Sequence, residues 1–107
     1  MPSTTIARGN SLSTFYIQIN IAPTAVATAG AVQTFPVPGL LTTDNILVLG
    51  IQGSQTNGVA AAEADCLTAG VLSIQWLNAT GASATPATGN YVLQIVRSEG
   101  PLPATAV

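Results

Sequence analysis

The chain has 107 residues, of which 48% are hydrophobic and only 6% charged, and its formal net charge is −2. This is the length of one domain, with charge far below the roughly 25% of an ordinary soluble domain. His and Lys are absent and Cys occurs once, which excludes an imidazole base, a Ser-His-Asp triad, a Schiff-base or P-loop lysine, an intrachain disulfide and any multi-Cys metal centre. Arg8 and Arg97 are the only basic residues. Two cations cannot neutralise a run of phosphates, so no nucleic-acid partner is expected. The same absences disfavour an enzyme, and no cofactor is expected.

Residues 1–11 are polar and expected to form an extended N-terminal arm; they lack the apolar stretch of a secretory leader. From Leu12 to Ile21 the pattern alternates, with Phe15, Ile17, Ile19 and Ile21 on one face and Tyr16, Gln18 and Asn20 on the other. Period-two alternation of this kind marks a half-buried strand. Pro23 stops it, because proline cannot donate to a strand ladder, and residues 22–30 read as a flexible crossing. A second strand is expected over Ala31–Val37 with Phe35 and Val37 inward. Pro36 and Pro38 confine its end to a sheet edge or a bulge.

Ile46–Ile51 is apolar on both faces, as a central or covered strand would be, and is the longest apolar run. It falls far short of the ~20 residues of a membrane-spanning helix, so no membrane partner is expected. Asn57-Gly58 matches a type I′ turn. The segment Val59–Asp65 is rich in alanine, where helix competes; a strand over Ala62–Thr68 is preferred, followed by a turn through Gly70. Val71–Asn78 places Leu72, Ile74 and Trp76 on one face. After the uncharged loop 78–90, Tyr91–Arg97 places Tyr91, Leu93 and Ile95 opposite Val92, Gln94 and Val96. The Pro-containing tail 99–107 cannot continue a sheet. The expectation is an all-β protein: one domain over residues 12–98, an antiparallel β-sandwich or jelly-roll-like barrel of about six to eight short strands.

Few residues offer chemistry. Asp44, Glu63 and Asp65 are the candidate acids for a Ca²⁺ site, which needs six to eight oxygens, but acids in turns more often cap and solubilise, and no metal is expected. Glu63 and Asp65 share a strand face. Cys66 falls in phase with Ala62 and Ala64 and reads as a small core residue. Asn78-Ala79-Thr80 matches a glycosylation acceptor by pattern alone. Trp76 and Tyr91 are either a sugar platform or core. Arg97 and Glu99 are spaced for a weak surface pair.

The second face is more informative. Val92, Val96 and Leu77 stand where polar residues are expected, in a chain whose remaining surface is Thr, Ser, Asn and Gln. Neutral polar groups enter an interface at far lower desolvation cost than ions, and contiguous apolar patches mark interfaces. The candidate interface residues are Tyr16, Gln18, Leu77, Val92, Gln94 and Val96, with Pro101 and Leu102 of the tail.

Over roughly two thirds of the chain the order of features resembles a known class. Thr34-Phe-Pro-Val-Pro-Gly-Leu40, Thr43-Asp44 before an apolar strand, Val71–Asn78, and Gly89-Asn-Tyr-Val-Leu-Gln-Ile-Val-Arg97 are similar to segments of tailed-bacteriophage head decoration (cement) proteins and related virion fibre-type β domains. The resemblance implies a structural virion protein on the capsid surface, made in the host cytoplasm. Its partner would be the major capsid protein, bound without turnover by a small homo-oligomer, a trimer before a dimer. The alternative it implies is a trimeric head- or tail-fibre domain that binds host carbohydrate.

Overall fold

The structure is a computed structural model and describes residues 11–98. All secondary structure in this range is β: β1 (Ser11–Ile21), β2 (Ala31–Pro36), β3 (Asn45–Gln52), β4 (Val59–Thr68), β5 (Val71–Asn78) and β6 (Gly89–Ser98). The expected arm and tail, with Pro101 and Leu102, lie outside the described residues.

The strands pair antiparallel in the order β1-β6-β3-β4-β5-β2. The ladder is uneven. β1 and β6 pair along almost their whole length, as do β2 and β5, whereas β3 and β4 share a single pair, Ile46 with Ala64. The sheet turns over at this weak seam. β5 and β6 are not neighbours in the strand order, yet Trp76 of β5 meets Tyr91 of β6 edge to face at 5.9 Å. A β1-β6-β3 layer thus lies against a β4-β5-β2 layer as a small β-sandwich. Leu72, Ile74 and Trp76 from one layer and Leu93 and Ile95 from the other are each at most 2% exposed and share one core. Burying a side chain of this size stabilises by roughly 1.5–3 kcal/mol, so the alternating residues of β5 and β6 are the main source of cohesion.

The two ends of the sandwich are closed differently. At one end the β2–β3 connection carries the load. Val37 N–H donates to the Gly70 carbonyl at 2.8 Å, and Gly70 N–H donates to the Leu40 carbonyl at 2.8 Å. Leu40 and Val37 are buried. At the other end Val26, wholly buried, forms an isolated bridge with Ala84. Residues 22–30 are therefore no loose crossing, as the sequence pattern suggests: one valine among Ala and Thr anchors them.

Three local expectations change. Ala62 is an extra residue at a bulge in β4, between the Ala61–Trp76 and Glu63–Gln75 pairs. The inward set of β4 is Val59, Ala61, Ala64 and Cys66, and Ala62 is exposed, so Cys66 is not in phase with Ala62. The turn at Asn57-Gly58 is not type I′, which needs positive φ at both central residues. Only Gly58 has it (φ 82), with Val59 N–H reaching the Thr56 carbonyl at 3.4 Å; this is the type II pattern. The alanine-rich segment is a strand from Val59 onward, longer than the expected Ala62–Thr68, because pairing with β5 overrides helix propensity.

Candidate assembly face

Register assembles the outer face of the β1-β6-β3 layer row by row. Thr14, Val96 and Asn45 lie side by side. Tyr16, Gln94 and Leu47 form the next row, then Gln18, Val92 and the Leu49-Gly50 bulge, then Asn20, Asn90 and Gln52. None of these residues is charged. Tyr16, Leu47 and Leu49 are 62%, 55% and 50% exposed, while Val92, Gln94 and Val96 are half-buried along the central strand. Asn20 donates across the face to Asn90 at 3.2 Å. The result is a ring of apolar side chains, Tyr16, Leu47, Leu49, Val92 and Val96, around the Gln94 amide, with further amides and a hydroxyl at the margins.

Five of the sequence candidates, Tyr16, Gln18, Val92, Gln94 and Val96, meet on this face. Leu77 does not: it projects from β5 on the outer side of the opposite layer. Leu47 and Leu49 belong to the face and were not singled out from the sequence. The signal was present, since β3 is apolar on both sides, but which side joins Tyr16 depends on the β3–β6 register, and no sequence pattern supplies that.

The acids separate rather than cluster. Glu63 and Asp65 line one shallow groove on the outer side of the β4-β5-β2 layer with Val32, Leu67, Ser73 and Gln75. Asp44 is buried elsewhere. Its carboxylate accepts from Arg97 Nε at 2.9 Å and Nη2 at 2.8 Å, and from the Leu41 N–H at 2.9 Å. The Arg97 hydrogen bonds hold the Asp44 carboxyl below the usual carboxylate range, against an opposing push from burial; the Leu41 N–H adds to the lowering. Arg97 also donates to the Gly39 carbonyl at 3.1 Å and stands 5.3 Å from the centre of the Phe15 ring. This pair is a strut between β1, β6 and the β2–β3 connection. The expected Arg97–Glu99 pair involves Glu99, which lies outside the described residues. Among the described residues no three His, Cys, Asp or Glu side chains come together to hold a metal.

The other candidates are structural. Asn78 is buried and both its amide hydrogens are used, toward the Val26 carbonyl at 2.9 Å and the Ala82 carbonyl at 2.7 Å. Its oxygen accepts from the Thr80 N–H and hydroxyl. The Asn78-Ala79-Thr80 pattern is thus an internal brace, with no amide offered for glycosylation. Trp76 and Tyr91 are at most 5% exposed and present no platform to a sugar. Tyr91 donates to the Ala87 carbonyl at 2.6 Å, and burial pushes its phenol above its usual range. Cys66 is buried.

Comparison with known proteins returned no matching family model, no matching curated protein and no matching solved structure.

Proposed function

We propose that this chain is a structural, non-catalytic protein of a virion. In this reading it assembles as a small oligomer, a trimer, and binds the outer surface of a capsid shell as a decoration protein does. The observation that carries the proposal is the charge-free outer face of the β1-β6-β3 layer. A free surface normally carries charges that keep copies apart. Here an exposed tyrosine and two exposed leucines sit on a rigid sheet among neutral amides, so covering the face costs little desolvation. The shifted titratable groups support the same reading: Asp44, Arg97 and Tyr91 are engaged in structural contacts. The resemblance in the order of turns and strands supplies the capsid as partner, and many copies on one shell convert weak contacts into firm attachment by avidity.

The test is co-sedimentation with expanded empty shells of the phage that encodes the chain. The parent protein is expected in the pellet, and a Tyr16→Lys/Val92→Lys variant is expected to lose at least tenfold in affinity with its fold intact. A parent that stays in the supernatant, or a variant that pellets equally well, overturns the proposal.

A further inference from the structure

The seam between β3 and β4 is an opening with the features of a strand-binding site. Its two edges face each other, and among the described residues they pair only at Ile46–Ala64. From that pin toward Gln52 and Val59 the strands part. A cavity of about 340 Å³ lies between Ile46–Val48 and Ala61–Asp65. A second, of about 160 Å³, continues it past Ile51 and Val59 to Trp76 and Tyr91. Strand edges left unpaired are templates for another strand.

Two further observations point to an occupant. Trp76 is 2% exposed and lines the second cavity, and its indole Nε1–H has no acceptor. Buried donors without partners are rare, and a backbone carbonyl entering the opening would satisfy this one. Glu63 and Asp65 line the pinned end. Arg97, the only described cation, is held by Asp44. The chain has one other cation, Arg8.

We propose that residues 1–10 of a second copy enter the opening as an extended strand, antiparallel to β3 and parallel to β4, with Arg8 beside Glu63 and Asp65. In this register the carbonyl of residue 5 or 6 reaches the level of the Trp76 indole. Thr4, Thr5 and Ile6 suit a strand.

Reach selects a second copy over the same one. Ser11 pairs with Ser98 on the far side of β6, four residues beyond the Gln94–Leu47 level of Glu63. The position of Arg8 in the opening is then about 13 Å along the strands and about 14 Å across them from Ser11, or roughly 19 Å. Three residues span at most about 11 Å.

The test uses the absence of lysine from the chain. In an Arg8→Lys variant the new side chain is the single ε-amine. Equal amounts of ¹⁵N-labelled and unlabelled full-length variant are unfolded together, refolded and treated with a carbodiimide, which joins an amine to a carboxylate in contact with it. Digestion and mass spectrometry are expected to give peptides joining position 8 to Glu63 or Asp65, about half of them with one heavy and one light partner. Coupling only within one isotope means that the arm folds back on its own chain and overturns the exchange. No coupling to Glu63 or Asp65 overturns the docking itself. As a second reading, removal of residues 1–10 is expected to speed amide exchange at Leu47–Leu49 and Ala61–Glu63 at least tenfold and to shift the single indole N–H resonance; no change in either overturns the proposal. These measurements read the β3–β4 opening, and co-sedimentation of the Tyr16 and Val92 variants reads the outer face, so either can fail without the other.

Discussion

Asp44 shows how a nearly charge-free protein uses one of its few charges. Its carboxylate closes the Leu41–Asp44 turn and receives two hydrogen bonds from Arg97. An unfolded Asp titrates near pH 3.9, and the folded value is lower, so the unfolded state binds the extra proton. The stability this group contributes is present above about pH 4 and is lost as pH falls through the folded value. Thermal melts are expected to be level from pH 7 to about pH 5 and to fall below pH 4. Asp44→Asn is expected to cost about 2 kcal/mol at neutral pH, at the low end for a paired carboxylate because Arg97 is partly exposed, and to flatten the acid limb. An acid limb unchanged in the variant would assign the pH dependence to other carboxylates. Asn78 is the neutral counterpart at the opposite end. Asn78→Asp keeps the shape but cannot donate to the Val26 and Ala82 carbonyls, and is expected to lower the denaturant midpoint by the equivalent of about 2–3 kcal/mol. A loss below about 0.5 kcal/mol, the size of an ordinary surface change, would mean that the brace is not used.

At the scale of elements, β1, β5 and β6 were readable because every second residue of each is a large apolar one, so one face is buried as a set. β2 was readable from its prolines, and its place at the sheet edge fits Pro36. β4 was only half readable. The bulge at Ala62 moves the phase, and alanines carry too little hydrophobic contrast to reveal a shift of one residue. The 22–30 segment was misread for a related reason: Val26 is anchored by Ala84, 58 positions away in the chain, and nothing local encodes that pairing. The candidate face was readable on β1 and β6, but its β3 contribution required the register between distant strands. Gly30 tests how tightly the misread segment is built in. It has φ 84, and a Cβ there would stand 2.8 Å from the Trp76 carbonyl oxygen. At Gly39, with φ 94, a Cβ would meet nothing within 4 Å. Gly39→Ala is expected to cost about 1 kcal/mol from backbone strain alone, and Gly30→Ala about 2–3 kcal/mol because the carbonyl must also move. Equal losses in chemical denaturation would contradict the close packing of residues 27–30 on β5.

The whole molecule combines a well-packed interior with surfaces that lack the usual protection against association. The β1-β6-β3 layer has an uncharged outer face around Tyr16 and Val92, and the two layers meet at a seam held by one strand pair. Neither feature adds to the stability of an isolated copy, and both are suited to contact with other copies or with a shell. The most direct test of the uncharged face as an assembly surface is light scattering of the full-length protein over a dilution series, beside the Tyr16→Lys/Val92→Lys variant. The parent is expected to hold a mass that is a small multiple of 10.7 kDa into the low micromolar range, with the variant lighter at every concentration. A parent that runs as a 10.7 kDa monomer throughout, or a variant of the same mass as its parent, would contradict assembly through this face.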